Sequence, residues 1–455
     1  MVAPARLIAA ATIALIPCPA LVAQTPPNDA AIRSIIVPLV DAGHFSGIAV
    51  GLVTRDGTRQ IVAYGPKAGV TPFDGSTEFE IGSITKTFTA AILADMVAKG
   101  EVALDDPVAR YLPESFTVPR QGDRQITLLD LATQRSGLPR LPSNLAPKDS
   151  TNPYADYTAD NLRSFLASYT LPRAIGAQYE YSNLGFGLLG LALAHKAGMS
   201  YEELVTTRIL QPLGMHETAA TLRPGMRERL APGHDADGGP IANWDFAALA
   251  GAGALRSDIN DMLTYIAANA DSTLPPLGPV LALTHAGRND AGSPAMQIGL
   301  AWNRIHTPSG RTVVWHNGGT GGYRSFTGYD EASGLGVVVL TNTSQSVDEI
   351  GVHLLDAAVP IPTFRTAITL PGEALDRYLG MYELQPGVTI TITRDGSQLM
   401  AQITGQPSYP VFAEAVGEFF YKVVDAQLSF GSDSGGAVTG LVLHQGGRNM
   451  PAKRK

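Results

Sequence analysis

The sequence predicts an α+β fold. In it, an antiparallel sheet flanked by helices carries an inserted helical region and is followed by a small antiparallel β-barrel. Two observations support this prediction. Strand patterns occur before about Thr77 and return at Gly299, with helical runs and Pro- and Gly-rich loops between them. Alternating apolar and polar residues then occupy the chain after Glu373, as expected for a β-meander.

The first predicted elements are a helix and a hairpin. Residues 32–40 have the apolar spacing of a helix, and residues 47–53 form a short apolar run typical of a buried strand. The turn signal Arg55-Asp56-Gly57 comes next, so residues 60–65 are predicted to pair with that strand.

Helices and then strands are predicted further along the chain. From Ser83 to Lys99 apolar residues recur at four-residue steps, and Gly100 is placed to end this helix. Residues 184–194 form a glycine-interrupted helix candidate. The returning strands are predicted at 299–305, 311–315 and 334–341.

A change in composition divides the chain into two domains. Val359-Pro360-Ile361-Pro362 is typical of an extended linker. We therefore predict a first domain over 29–358, a linker over 359–372 and a small β-barrel domain over 373–455. Strand patterns in the last domain lie at 388–393, 399–403, 419–424, 427–430 and 438–443.

Charge and composition exclude some functions. The 455 residues carry a net charge of −8 and no basic stripe with interleaved aromatic residues, which argues against a nucleic-acid partner. The chain has no H-E-x-x-H motif and no closely spaced histidines, so we predict no metal and no cofactor.

The N-terminus has the pattern of an export signal. Arg6 precedes an apolar run over 7–16 that is too short to span a bilayer, and small residues end at Ala23. We predict a cleavable signal peptide over 1–23, a periplasmic or secreted protein, and no transmembrane segment after the signal. Cys18, the one cysteine, lies inside this signal between two prolines that argue against lipid attachment.

Ser83 and Lys86 are candidate catalytic residues. They are three residues apart at the predicted helix start, so both side chains fall on one face of its first turn. Burial and the positive end of the helix dipole disfavour the ammonium form of Lys86, which favours an amine able to take the serine proton. The alternative is an N-cap serine beside a solvated lysine.

Tyr181-Ser182-Asn183 is the second candidate segment and precedes the glycine-rich helix. Tyr181 is a candidate base that afterwards returns a proton to the leaving group. Asn183 is a candidate for holding an acyl side chain and fixing the position of Lys86. The alternative is a buried tyrosine followed by an Asn N-cap.

His316-Asn317-Gly318-Gly319 is the third candidate segment and follows the strand predicted at 311–315. Small residues there would let a substrate backbone approach closely, and the Gly319 N–H is a candidate oxyanion donor together with that of Ser83. His316 is a candidate partner of the tyrosine or the substrate. The alternative is a glycine-rich hairpin turn with an incidental histidine.

Together these segments resemble the serine β-lactamase and penicillin-binding-protein superfamily, specifically its class C-like branch of β-lactamase-related serine hydrolases. The resemblance covers about residues 30–350 and includes Ser136-Gly137-Leu138-Pro139. It implies a β-lactamase/transpeptidase-like fold, and a tail similar to the lipocalin-like β-barrel extension of CubicO-type members. The roles it implies are Ser83 as nucleophile, Lys86 and Tyr181 as the proton-transfer pair, Asn183 as a substrate-orienting residue, and His316, Asn317, Gly318 and Gly319 as the third motif.

One departure from that superfamily concerns the substrate. Penicillin-binding proteins and efficient β-lactamases carry Lys-Thr-Gly or Lys-Ser-Gly where this chain has His316-Asn317-Gly318. Because histidine is mostly neutral at pH 7, the permanent cation for a substrate carboxylate is missing there.

We therefore expect an acyl-enzyme-forming serine hydrolase for amide or ester bonds of a small-molecule or peptide substrate. An esterase or D-stereospecific peptidase is favoured over a class C-like β-lactamase or DD-carboxypeptidase. A non-catalytic penicillin-binding receptor and a homo-oligomer are left open.

Overall fold

The computed structural model describes residues 25–65, 72–361, 364–365, 367–406, 408–421, 426–445 and 448–455. The signal peptide predicted over 1–23 lies outside these residues. Within the described ranges, no helix combines the length and apolar character needed to cross a membrane.

Most of the helices lie between the first hairpin and the later strands. The α-helices are α1 (Asp29–Asp41), α2 (Thr85–Ala98), α3 (Leu128–Ala132), α4 (Ala159–Ser168), α5 (Asn183–Ala197), α6 (Tyr201–Val205), α7 (Gln211–Leu213), α8 (Pro224–Arg229), α9 (Ala250–Gly253), α10 (Ile259–Ala270), α11 (Gly278–His285), α12 (Asp348–Leu355) and α13 (Gly372–Leu375). Short 3-10 helices run over Gly82–Ile84, Val108–Tyr111 and Asp376–Tyr378, and a π-helix runs over Thr206–Leu210.

In the described part of the chain, the strands form one large sheet, two small two-stranded sheets and a barrel. In chain order those before the barrel are β1 (Ile48–Val53), β2 (Arg59–Tyr64), β3 (Phe79–Glu80), β4 (Arg120–Gln121), β5 (Arg124–Gln125), β6 (Arg256–Ser257), β7 (Asn289–Ser293), β8 (Met296–Ile298), β9 (Asn303–His306), β10 (Thr312–Gly319), β11 (Arg324–Asp330) and β12 (Gly336–Thr341). The barrel strands are β13 (Gly380–Gln385), β14 (Val388–Asp395), β15 (Gln398–Ile403), β16 (Ser408–Ala415), β17 (Glu418–Tyr421), β18 (Ala426–Ser432), β19 (Val438–Gln445) and β20 (Arg448–Arg454).

The large sheet is assembled from distant parts of the chain. Its eight strands have the order β2-β1-β12-β11-β10-β9-β8-β7, so the first hairpin pairs with the last strand, and Ile48 lies opposite Thr341. Helices α2 to α11 lie in sequence between β2 and β7. The prediction of a discontinuous sheet with an inserted helical region is confirmed.

Both faces of this sheet are covered, which explains why β1 is buried throughout. Because side chains alternate along a strand, Ile48 and Val50 join the apolar cluster of α1 and α12 on one face. Ala49 and Val53 join the cluster of α2 and α10 on the other face. The continuous apolar run of the sequence reflects this two-sided burial.

The strand predicted at 299–305 was wrong. Residues 299–305 are not one strand, because β8 ends at Ile298 and β9 begins at Asn303. Between them Gly299 N–H donates to the Trp302 carbonyl, which closes a turn, and Ala301 takes a positive φ of 67°. A short apolar sequence does not distinguish such a buried turn from a strand.

The C-terminal strands close into an eight-stranded antiparallel barrel. Closure is made by β13 and β20, where Tyr382 lies opposite Arg454. The interior is filled with apolar side chains, including Ile390, Leu399 and Leu428. The predicted small β-barrel is confirmed as an architecture, although the sequence patterns missed β13, β16 and β20.

Candidate active site

Ser83 lies in a 3-10 turn that leads directly into α2. The preceding Gly82 has a positive φ of 49°, and a Cβ there would lie 2.6 Å from the backbone nitrogen of Gly319. Only a glycine permits this close approach. The turn that contains Ser83, the candidate nucleophile, therefore packs closely against Gly319 of the third candidate segment.

Lys86 is held by oxygen atoms from three different parts of the chain. Its Nζ lies 2.9 Å from Ser83 Oγ, 2.8 Å from Asn183 Oδ1 and 2.7 Å from the Ala252 carbonyl oxygen. The side chain is completely buried because α2 runs through the protein interior. Burial, reinforced by the nearby Arg140 cation, holds the pKa of Lys86 well below its ordinary value.

These contacts determine where the hydrogen atoms lie. A neutral lysine amine has two N–H donors and one lone pair. The Asn183 and Ala252 oxygens are both acceptors and take the two donors. The lone pair then faces Ser83, whose hydroxyl is positioned to donate to it. This is the arrangement that a general base needs before proton transfer.

Tyr181 completes this group. Lys86 Nζ lies 4.8 Å from the centroid of the Tyr181 ring, and the Tyr181 hydroxyl lies close enough to Ser83 to interact with it. Burial raises the pKa of Tyr181, while the interaction with Ser83 and the Arg140 cation oppose the rise. The net direction is upward, so Tyr181 retains its proton in the free protein.

Backbone contacts with a distant loop position Tyr181 and Asn183. The Ser182 hydroxyl donates to the Pro139 carbonyl at 2.7 Å, and the N–H of Asn183 donates to the Arg140 carbonyl at 3.0 Å. The Ser182 hydroxyl also accepts from the Gly185 N–H and is the N-cap of α5. The alternative that made Asn183 the N-cap is therefore wrong.

The third segment lies inside a strand rather than in a turn. His316 to Gly319 are the last four residues of β10 and pair with β11, with Gly319 opposite Arg324. The pairing of β10 with β9 ends at Trp315, which leaves the other edge of this segment open toward the turn at Ser83. The sequence prediction ended the strand too early because glycines are usually rare in strand interiors.

The strand register points the Gly319 N–H toward that open edge. Thr320 N–H donates to the Tyr323 carbonyl, so Thr320 is hydrogen-bonded toward β11. Neighbouring N–H groups of a strand point in opposite directions, so the N–H of Gly319, one residue before Thr320, points away from β11. The Gly319 and Ser83 N–H groups therefore come from two adjoining backbones and can both face one substrate oxygen.

His316 and Asn317 point to opposite faces of the sheet. His316 is buried on the Lys86 side, where burial, with Lys86 nearby, lowers the pKa of His316 to about 3. Asn317 instead donates from Nδ2 to Asp348 Oδ2 at 2.6 Å on the α12 side. The structure thus brings His316 to the site, whereas the Asn317 side chain is directed away from it.

Gly318 has no room for a side chain. A Cβ there would lie 1.9 Å from the Ile81 carbonyl oxygen and 2.3 Å from Ser325 Oγ. We expect Gly318→Ala to push β10 away from the Ser83 turn and to lower kcat/KM for an activated ester by roughly 10²-fold or more, the scale of a lost oxyanion donor. Steady-state kinetics of the purified variant measure this effect.

Gly225→Ala is the matched control for that variant. A Cβ at Gly225 would lie 3.6 Å from the Arg229 guanidinium, which is an ordinary van der Waals contact. Alanine within α8 should leave activity unchanged and stability equal or slightly higher. Full activity of Gly318→Ala would contradict the close packing of β10 against the turn.

Sequence reasoning missed several residues of this site. The Ala252 carbonyl, at the end of α9, gave no signal because any residue supplies a backbone oxygen. Arg140 was also missed. It directly follows Ser136-Gly137-Leu138-Pro139, a segment that carries the family resemblance, and its guanidinium lies 5.0 Å from the Tyr181 ring centroid. In the described part of the chain, no group of three or more His, Cys, Asp or Glu side chains is arranged to hold a metal.

The fold and the site together are those of the class C, serine penicillin-recognising proteins. The chain belongs to the Beta-lactamase family, whose model matches residues 32–359. The model of a domain of unknown function, DUF3471, matches residues 365–453, which include the barrel strands.

Characterised relatives and solved structures agree with this assignment. A beta-lactamase of Pseudomonas fluorescens is 28% identical, over 68% of this chain and 92% of its own length. The D-alanyl-D-alanine-carboxypeptidase/endopeptidase AmpH of Escherichia coli K12 is 30% identical, over 65% of this chain and 79% of its own length. The crystal structure of a class C beta-lactamase from Rhodobacter sphaeroides is 26% identical with a TM-score of 0.59, and covers 70% of this chain and 94% of its own.

Proposed function

We propose that this protein is a serine hydrolase that forms an acyl-enzyme at Ser83. The observation that carries the proposal is the Lys86 amine, buried and fixed by two acceptor oxygens so that its lone pair faces the Ser83 hydroxyl. A lysine in this position is unusually able to accept a proton at neutral pH. Membership of the Beta-lactamase family supports the same chemistry.

In the proposed acylation, Ser83 Oγ attacks the substrate carbonyl carbon and its proton passes to Lys86 Nζ. The Ser83 and Gly319 N–H groups stabilise the resulting oxyanion. As the bond to the leaving group breaks, Tyr181 gives its proton to that group and regains one from the Lys86 ammonium. Water then attacks the ester of Ser83, its proton follows the same path, and the acid and free Ser83 hydroxyl are released.

The retained proton of Tyr181 assigns the two proton-transfer roles. Because burial raises the pKa of Tyr181 while that of Lys86 is lowered, Lys86 is the first base and Tyr181 the first acid in our proposal. From the sequence alone, Tyr181 is a candidate base. In the proposed mechanism the phenol remains neutral until the leaving group departs.

For the substrate, we propose an ester or a D-amino-acid peptide rather than a β-lactam. His316 is uncharged at neutral pH, so the third segment offers no cation to a β-lactam carboxylate. The similarity to AmpH favours D-alanyl peptides as the second candidate substrate. Parallel assays with nitrocefin, a short-chain ester and a D-alanyl peptide test this proposal, and nitrocefin as the fastest substrate would contradict it.

We expect a pH profile governed by Lys86 and not by His316. For an activated ester, kcat/KM should rise as Lys86 loses its proton and reach a plateau well below pH 10.5, because the pKa of Lys86 is lowered. His316, with a pKa of about 3, should add no step near pH 6.5. Steady-state rates measured from pH 5 to 10 check both statements, and a continuous rise up to pH 10 would contradict the first.

We also propose that the protein is exported after cleavage of the signal peptide predicted over 1–23. The apolar run of residues 7–16 and the following small residues support this proposal. N-terminal sequencing of the protein recovered from the periplasm or medium tests it, and a mature protein that still begins at Met1 would contradict it.

A further inference from the structure

Arg140 is a second cation beside the Tyr181 ring, in addition to Lys86. Its Cζ lies 5.0 Å from the Tyr181 ring centroid, whereas Lys86 Nζ lies 4.8 Å from the same centroid. Arg140 is exposed, in contrast to the completely buried Lys86. The Arg140 guanidinium is therefore an exposed charge beside the reacting groups.

Arg140 is held firmly by its backbone. Its carbonyl accepts the N–H groups of Asn183 at 3.0 Å and Leu184 at 3.3 Å, at the start of α5. The preceding Pro139 carbonyl accepts the Ser182 hydroxyl at 2.7 Å. These bonds keep the Arg140 backbone beside Asn183.

The guanidinium itself is unpaired. Across the described ranges, Arg140 has no hydrogen bond or ion pair from its side chain, and its guanidinium faces the Tyr181 ring. Two arginines of the neighbouring segments differ, since Arg135 is paired with Asp290 and Arg173 with Glu180. The five N–H donors of Arg140 remain available to an anion from outside the chain.

Arg140 also acts electrostatically on the site. Its charge reaches Lys86, where it lowers the pKa, and it opposes the rise that burial causes in the pKa of Tyr154, Tyr179 and Tyr181. A carboxylate bound at Arg140 would thus lie within electrostatic range of the reacting groups.

We propose that Arg140 is a specificity-determining residue that binds a carboxylate on the acyl part of the substrate. The inference rests on the proposed function and narrows its substrate class to anionic acyl groups. Arg140 lies beside Asn183, the candidate for holding the acyl side chain. A carboxylate and a guanidinium form a planar, two-bond pair in this kind of site.

The test compares three nitrophenyl esters. The first is the p-nitrophenyl monoester of adipic acid, which carries a carboxylate at the end of the acyl chain. The second is its terminal amide, which is nearly isosteric and neutral. The third is a hexanoate ester whose carboxylate is on the nitrophenol leaving group. Rates are measured for the full chain and for the variants Arg140→Gln, Arg140→Lys and, as an exposed control of equal charge change, Arg33→Gln.

We expect the unaltered protein to prefer the acid over the amide in kcat/KM. Arg140→Gln should reduce that acid-to-amide ratio by roughly 10- to 100-fold, the scale of a charge-assisted hydrogen bond. Arg140→Lys should retain part of the preference, and Arg33→Gln all of it. The preference should also shrink as salt is raised. A mere change in Tyr181 acidity would affect both esters together and leave the ratio unchanged.

Three results would overturn the inference. An equal ratio in the unaltered protein and Arg140→Gln would remove Arg140 from recognition, and a preference confined to the third ester would place the anion on the leaving group. In both cases acylation of Ser83, seen by intact mass spectrometry, would leave the proposed function standing. If no ester acylates Ser83, the proposed function fails and the Arg140 inference fails with it.

Discussion

Ser83→Ala should abolish turnover of an activated ester, with kcat reduced by roughly 10⁴-fold or more, as is typical when a catalytic nucleophile is removed. Lys86 and both oxyanion donors would remain, but the bond between the enzyme and the acyl group could no longer form. Progress curves with a p-nitrophenyl ester measure the rate. Intact mass spectrometry of the same samples should show the acyl adduct on the unaltered protein and none on the variant.

Ser164→Ala is the matched control, since Ser164 is an exposed residue of α4. It should retain both turnover and adduct. The Ser83→Ala protein should also fold normally, because the substitution removes one partly buried oxygen atom and leaves the packing of α2 unchanged. Undiminished turnover in the Ser83→Ala variant would refute the proposed function.

Lys86→Met should lower kcat by roughly 10²- to 10⁴-fold, the range of a positioned general base. The same substitution should not destabilise the folded protein. A buried lysine loses its solvation, whereas methionine of similar length is apolar, so the free energy of unfolding should stay equal or increase. Ester kinetics together with chemical denaturation would show an inactive protein that is at least as stable as the original.

The pH dependence of that stability difference follows from the lowered pKa of Lys86. Between the folded pKa and the ordinary value of about 10.5, the unfolded chain binds a proton that the folded protein does not. The cost of burying Lys86 therefore decreases as pH rises through this window. The advantage of Lys86→Met in unfolding free energy should be larger at pH 7 than at pH 10.

Lys148→Ala supplies the matched control for the lysine substitution, because Lys148 is exposed. It should change neither activity nor the pH dependence of stability. A Lys86→Met protein with normal kcat would contradict the role of Lys86 as base. A loss of activity that accompanies unfolding would instead indicate a structural role.

Local sequence patterns predicted much of the fold. Apolar spacing placed α2, β1 and β2 within a few residues of their observed bounds, because buried helices and strands impose strong periodicities. The patterns failed to predict strand residues where those residues are glycines. The end of β10 was missed at Gly318 and Gly319, which are glycine because other backbones and side chains occupy the space of a side chain.

The sequence by itself determined the nucleophile candidate, since Ser83 and Lys86 are neighbours on one helical turn and their relation is local. It also determined that the third segment lacks a permanent cation. Only the tertiary structure decided that Asn183 and the Ala252 carbonyl orient the lysine, that Asn317 points to α12 and that Arg140 lies over Tyr181. The physical reason is that these contacts join residues tens to hundreds of positions apart. A local sequence pattern cannot predict which of these distant residues meet when the sheet folds around the helical insertion.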